Sequence, residues 1–452
     1  MYQTCFRDTA NNRVRSGAEP VELPPSTSAI FTAPPVLSVV LALSATFCLA
    51  GISGAEVVDG QGSALDLQEA LARAVTHNKE LAAFEHRLAE QDGRVEQAGL
   101  PPNPVLQLTV EDFAGAGDLE GFDSAQTTLS LRWVLERSIR RRRVAAAEAG
   151  SALLLTDAEI LRLDLAAETA QRFLNSLANQ ARLENAAEAV SLAEDTVSAV
   201  KRRVQSGKSP HAELSRAAAE LAKVNLALDD AEHELAIAYH RLAAQWGDVD
   251  LRFSRVRGDL LSLPTTEPLS KIQGRVDQNP RLSRFVSEER VAKANVRLAE
   301  TKRWPTLRPS IGVRRYETSD DFALVAALSL PLPVLNRNQG RLSESRAALS
   351  RTRADSEAAR VRVHTSLFEI YQNFQHHIHR ADTLRDEVIP QLSKALDETR
   401  RGYEKGRYSY FEWRSVQADL LEARNELVEA STGAHRLVIV LERLTGERVA
   451  NS

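Results

Sequence analysis

At 452 residues the chain could hold two or three ordinary domains, yet aromatics are only 5% of it and Ala, Glu, Leu and Arg dominate, the vocabulary of long helices. A net charge of −4, with basic clusters such as Arg140 to Arg143 offset by acids along the chain as a whole, gives no reason to expect nucleic acid. Cys5 and Cys48 are the only cysteines and Met1 the only methionine, so the body of the chain has no disulfide, no thiolate nucleophile, no cysteine metal site and no thioether copper site.

The first recognisable segment is VLSVVLALSATFCLA, residues 36 to 50. It is apolar but short, and Ser53 to Ala55 before Glu56 resembles a signal-peptidase site, so residues 1–55 read as a leader with an export signal. Phe47 stands before Cys48, where lipidation signals want a small residue, which argues against a lipid anchor. No later segment offers the roughly 18 consecutive apolar residues of a membrane helix.

After the leader the chain follows one plan twice. Residues 66–98 predict an amphipathic helix, and the prolines of PPNPVLQLTVEDF end it and open a strand. Leu106, Leu108 and Val110 alternate with polar residues, as do Leu129, Leu131 and Trp133, giving a hairpin with one apolar face. A helix over about 139–205 follows, with a 3-4-3-4 apolar seam suited to knobs-into-holes packing. RVQSGKSPHAEL then predicts a turn into a shorter helix. Residues 248–267 connect to a second round: a helix over 268–303, strands with Ile311, Val313, Leu328 and Leu330, a long helix over 338–404, the turn GYEKGRYSYFEW and a last helix. Gly207 and Gly406, and Gly247 and Gly446, each stand 199 positions apart. The chain is a tandem duplication: leader 1–55, first repeat 56–247, connecting segment 248–267, second repeat 268–446 and tail 447–452. The predicted class is mainly α with a small β part.

Each long helix spans about 100 Å, three times a bilayer's hydrocarbon core, and is too charged to lie in one, so it crosses water. Four strands cannot close a membrane barrel, and an open sheet in lipid leaves backbone groups unpaired. Either the hairpins are soluble caps on a coiled coil, or several chains share one barrel whose lipid face is Leu106, Leu108, Val110, Leu129, Leu131, Trp133, Ile311, Val313, Leu328 and Leu330. Phe113, Trp133, Trp304, Tyr316 and Phe322 at the strand ends suit an aromatic girdle. Pro390 interrupts the second long helix, where its counterpart is Ser191, and predicts a bend in one of the two helix pairs, or a kink that is merely tolerated. His376, His377 and His379 lack an acidic cluster at helical spacing, and His377 falls on the packing seam; no metal site, cofactor site or catalytic constellation is predicted.

LSLPLPVLNRNQGR (328–341), GYEKGRYSYFEW (402–413) and GLPPNPVLQLTVEDFAGAG (99–117) resemble segments of the TolC-type outer-membrane efflux family, most closely its cobalt–zinc–cadmium branch. At the first strand-to-helix corner, WVLERSIRRRR lacks the proline and paired glycines of that branch. The resemblance implies a homotrimer with a twelve-stranded outer-membrane β-barrel in lipid and a coiled-coil α-barrel in the periplasm, working with a periplasmic adaptor and an inner-membrane proton-driven pump. It implies a passive, non-enzymatic channel for heavy-metal cations. It also implies a pore gate at Tyr403, Arg407 and Glu412, with Arg407 one position early and Ser415 in place of a second acid. An adaptor-contact turn would comprise Gly207, Ser209, Pro210, Gly406, Tyr408, Tyr410, Phe411 and Trp413; the alternative is that these aromatics only cap the helical hairpin. Drug or polypeptide export by the same architecture, and a pore-free periplasmic scaffold, are the competing readings.

Overall fold

A computed structural model describes residues 64–451 apart from Gln278 and Arg448. Residues 1–55, expected to form a leader, lie with Cys5 and Cys48 outside the described residues. Each repeat runs helix pair, β-hairpin, long helix, turn, helix. The first contains α1 (Leu67–His77), α2 (Lys79–Gly99), β1 (Val105–Glu111), β2 (Gln126–Arg132), α3 (Arg137–Gln205) and α4 (His211–Ala243). The second contains α5 (Leu269–Val276), α6 (Pro280–Thr301), β3 (Arg308–Tyr316), β4 (Asp321–Ser329), α7 (Gln339–Thr383), α8 (Ile389–Glu404) and α9 (Tyr410–Thr445). No helix among the described residues is long and apolar enough to cross a membrane.

Two asparagines explain why the helices expected over 66–98 and 268–303 are each broken. Asn78 caps α2 by accepting from the Glu80 and Leu81 amides, while its own amide donates to the Gln245 carbonyl at 2.8 Å. Asn279 repeats the arrangement: it accepts from the Arg281 amide and donates to the Leu444 carbonyl. A side chain that ends one helix and starts the next therefore also ties the break to the far end of its own repeat. Gly247 (φ 81°) and Gly446 (φ 70°) turn the chain at those far ends in the left-handed conformation that glycine adopts without strain.

The four strands form one antiparallel meander in chain order, β1-β2-β3-β4. Its register places Leu106 opposite Leu131, Leu131 opposite Ile311, Leu108 opposite Leu129, Leu129 opposite Val313 and Val313 opposite Leu324. The apolar positions of all four strands thus merge into one face, and Leu106, Leu108, Ile311 and Leu328 on it are more than half exposed. The opposite face is polar over β1, β2 and β3, while β4 adds Ala323, Val325 and Ala327 to it. Arg314 donates to Thr128, Gln126 and Glu111, and Arg132 donates to Gln107 at 2.6 Å. Among the described residues the outer edges, β1 and β4, have no further partner strand.

α3 runs unbroken for 69 residues, about 100 Å. Its counterpart is interrupted by a π turn at Leu384–Val388, just before Pro390. Proline cannot donate to the carbonyl four residues back and its ring crowds that carbonyl, here Asp386's; the wider turn relieves the clash. Ser191 raises no such conflict, so α3 stays regular.

The two repeats meet along α3 with a consistent polarity of charge. Asp157 pairs with Arg284 at 2.6 Å, Asp164 with Arg281 at 2.7 Å and Arg443 at 2.6 Å, Asp195 with Arg400 at 3.3 Å, and Glu188 with Arg424. The first repeat supplies the acids and the second the arginines. Apolar packing concentrates around Phe173, Leu242, Trp246 and Val256 in one half and Ile272, Leu367, Leu441 and Val449 in the other. Asp164→Asn removes the carboxylate that two arginines share, and is expected to lower stability by about 1 kcal/mol, read as a reduced melting temperature; these pairs are part-exposed, so a larger loss is not expected.

Candidate functional site

The far end of the helical shaft holds two turns built alike. In the first, the Gly207 amide donates to Val204 and the Lys208 amide to Arg203; in the second, the Gly406 amide donates to Tyr403 and the Arg407 amide to Gly402. Both glycines are left-handed, with φ of 70° and 75°. This is the 6→1 and 5→2 bonding of a Schellman cap, and it closes each long helix with its last carbonyls satisfied.

The side chains then diverge. Arg203 in the first repeat corresponds to Gly402 in the second, and Ser209 to Tyr408. Arg203 extends over Ser209, donating to its Oγ at 3.1 Å. Gly402 instead leaves room for the Tyr408 ring: a Cβ there would sit 2.0 Å from that ring. Bulk at one position is exchanged for bulk at the other.

Arg203 also joins the two turns. Its guanidinium donates to the Tyr403 carbonyl at 2.5 Å, the Glu404 carbonyl at 3.3 Å and the Lys208 carbonyl at 3.3 Å. It lies 4.7 Å from the centre of the Tyr403 ring. One cation therefore faces the carbonyl ends of both α3 and α8, where helix dipoles favour positive charge. Tyr403, only 1% exposed, returns the link by donating to Glu213 Oε2 at 3.0 Å. Burial raises the Tyr403 pKa, so the phenol remains a donor at physiological pH. Below the turns, Arg414 pairs with Glu220 at 2.7 Å, and the Thr196 hydroxyl meets Gln417 Oε1 at 3.4 Å across the same seam.

The expected site residues fall into different places. Tyr403 is central to the link between the turns. Arg407 is exposed and has no side-chain partner among the described residues; within one chain the bridging role belongs to Arg203. Glu412 is exposed but engaged, because its carboxylate accepts from the Ser409 amide at 2.7 Å and the Ser409 hydroxyl at 2.8 Å while the Glu412 amide donates to Ser409 Oγ. That capping box starts α9 and lowers the Glu412 pKa, chiefly through the Ser409 amide. Tyr410 and Trp413 do not face outward as expected. They are buried with Tyr403, Val200 and Ala217, Trp413 lying 5.2 Å from the Tyr403 ring, because two helix pairs meeting at a tip need large side chains to fill the space between them. Phe411 is exposed and Tyr408 partly so, leaving these two, with Gly207, Ser209, Pro210 and Gly406, on the accessible part of the turn.

Arg203 and Glu213 were missed by sequence reasoning. An arginine in the last turn of a helix, opposite a glycine in the duplicate, was the available signal. The histidines gather no ligand set: His377 packs its ring against Gly433, where a Cβ would sit 2.5 Å away, and among the described residues no cluster of three or more His, Cys, Asp or Glu side chains could hold a metal ion.

Residues 67–248 and 272–447 match the outer membrane efflux protein family. The chain is 26% identical over 382 residues to the cobalt-zinc-cadmium resistance protein CzcC of Cupriavidus metallidurans, covering 84% of this chain and 90% of that one. Its fold is similar to the outer-membrane channel OprN, with a TM-score of 0.70 at 17% identity over 84% of this chain and 89% of that chain. It is likewise similar to the outer membrane protein VceC of Vibrio cholerae, with a TM-score of 0.69 at 20% identity over 84% of this chain and 96% of that chain.

Arg203→Ala should speed amide exchange across 402–409 by at least about ten-fold, since it strips charge-assisted bonds from both turns, whereas Arg407→Ala should leave that exchange unchanged. Hydrogen exchange with mass detection separates the two. The lowered Glu412 pKa sets a pH dependence whose sign is fixed. The cap's contribution is complete above the ordinary carboxylate pKa of about 4.3 and is lost as pH falls through the lower folded value. Protection at 409–413, taken relative to the intrinsic amide exchange rate at each pH, should therefore hold from neutral pH down to that range and fall only below it, and Glu412→Ala should abolish the step.

Proposed function

The chain belongs to the outer membrane efflux protein family, bacterial outer-membrane channels with a helical periplasmic extension, and from that premise we propose that it is the exit duct for heavy-metal cations. Members of the family are trimeric components of tripartite efflux systems. The observation that carries the reading here is the sheet: one apolar, exposed face, one polar face, and two unpaired edges on four strands. Three copies joined edge to edge close a barrel with lipid outside and a wet lumen inside, which is how a sheet satisfies its backbone in hydrocarbon. The lipid side then carries Leu106, Leu108, Val110, Leu129, Leu131, Trp133, Ile311, Val313, Leu328 and Leu330; the lumen carries Gln107, Thr128, Arg132 and Arg314.

The helices prolong the lumen into the periplasm, and the turns at its inner end form the gate. Tyr403 and Arg203 hold the two helix pairs of one copy together. Arg407, exposed and without a side-chain partner among the described residues, would be free to reach a neighbouring copy. Glu412 caps α9 and adds a negative charge at the mouth, which favours cation entry. Phe411 and Tyr408, with the backbone of the first turn, offer the surface for a periplasmic adaptor. An inner-membrane proton-driven pump supplies the energy, because nothing in the chain resembles an energy-coupling site. Among possible cargoes, similarity to a cobalt-zinc-cadmium resistance protein favours divalent metal ions over drugs or polypeptides.

Deleting the gene should lower tolerance to cobalt, zinc or cadmium salts, and a plasmid copy should restore it. Unchanged metal tolerance together with new sensitivity to dyes or antibiotics would transfer the duct to drug export.

A further inference from the structure

Along the shaft, many arginines face carboxylates: Arg281, Arg284, Arg353, Arg380, Arg400 and Arg424 are all paired. At the base of the sheet the pattern changes. Segments 132–143, 300–308 and 336–346 carry twelve arginines and lysines against three glutamates. These segments lie together. The Leu135 amide donates to the Leu307 carbonyl at 2.9 Å, the Asn338 side chain to the Ala299 carbonyl at 2.8 Å, and Arg346 pairs with Glu300 at 3.3 Å. Glu136 is likewise taken by Arg143. Among the described residues Arg137, Arg141, Lys302, Arg303, Arg337 and Arg341 are exposed and have no carboxylate within ion-pair distance.

A band of exposed apolar residues accompanies these cations. Trp304 is 76% exposed, Leu332 73% and Leu335 90%. They lie in the segments 302–307 and 330–338, which join the strands to the helices. Water alone accounts poorly for a tryptophan and two leucines held outward beside unpaired arginines. The boundary of a lipid leaflet accounts for both: the rings and aliphatic chains enter the acyl region, and the cations stay at the headgroups.

We propose that this collar binds the anionic headgroups of the phospholipid leaflet on the periplasmic side of the barrel. Charge complementarity selects the occupant, since a membrane phosphodiester supplies the missing negative partner and its acyl chains cover Trp304, Leu332 and Leu335. The collar fixes the depth and tilt of the barrel from its periplasmic rim. This rests on the lipid-facing reading of the sheet given above.

The test is lipid retention by the intact, detergent-extracted protein after incubation with vesicles of equimolar phosphatidylethanolamine and phosphatidylglycerol, with bound lipid identified by mass spectrometry. The expected result is enrichment of phosphatidylglycerol that weakens as salt is raised. Replacing Arg303, Arg337 and Arg341 together by Gln should reduce that enrichment, by about five-fold for each cation that touches the leaflet. Should the triple variant fail to assemble, the single variant Arg337→Gln and the salt series on the unaltered protein carry the test. Trp304→Ala should lower total retained lipid and leave the headgroup ratio unchanged; a shifted ratio instead would count against the collar. Equal retention of the two lipids by the unaltered protein would overturn the proposal, and so would enrichment that the Gln variants do not change. Displacement of phosphatidylglycerol by inorganic phosphate would make this a free-phosphate site and also overturn it. Protein that retains no lipid of either kind would contradict the membrane reading of the sheet itself.

Discussion

Unpaired backbone at the two edges of a small sheet is the constraint on which the rest depends. The register gathers Leu106, Leu108, Val110, Leu129, Leu131, Ile311, Val313, Leu324 and Leu328 on one side, and that side wants hydrocarbon. Hydrocarbon in turn forbids the free amides and carbonyls of β1 and β4, each of which costs several kcal/mol there. In the proposed trimer the conflict is resolved between chains. The long helices would follow from the same step, because with the strands closed into a ring each copy's hairpins would line one axis across the periplasm.

Duplication supplies the parts and divergence supplies their roles. The two Asn-capped breaks, the two Schellman turns and the left-handed glycines are shared features that hold the repeats in the same shape. The differences lie where the repeats meet. Acids on α3 face arginines of the second repeat, so the halves recognise each other rather than copies of themselves. At the tip, the exchange of Arg203 and Ser209 for Gly402 and Tyr408 lets one side chain bind both turns while the other turn folds over its own helix. The π turn before Pro390 adds a second inequality: one helix pair has a wide turn part-way along it and the other has none.

Much of this was legible in the sequence, because it rests on period and repetition. Alternation in Leu106 to Val110, the seam along 139–205, and the 199-residue offset between glycines are signals that local chemistry writes directly. The failures have a common physical cause. Tyr410 and Trp413 read as a docking surface because they are aromatic and sit at a helix start; only the packing of two hairpins against each other decides that they point inward. Glu412 read only as a pore carboxylate, and the spacing Ser409 to Glu412 also marked a capping box that this reading left out. Arg203 was overlooked because two of its contacts are to backbone carbonyls about 200 residues away, and its place in the last turn of α3, opposite a glycine in the duplicate, was the one sign of them.

The most direct measurement is hydrogen exchange of the strand amides in the detergent-solubilised assembly, comparing the edge strands 105–111 and 321–329 with the inner strands 126–132 and 308–316. Closure between copies predicts that edge and inner strands are protected alike, because every strand then has two neighbours. Rapid exchange along β1 and β4 while β2 and β3 stay protected would show a sheet that ends with its own chain, and would contradict the barrel and the duct built on it.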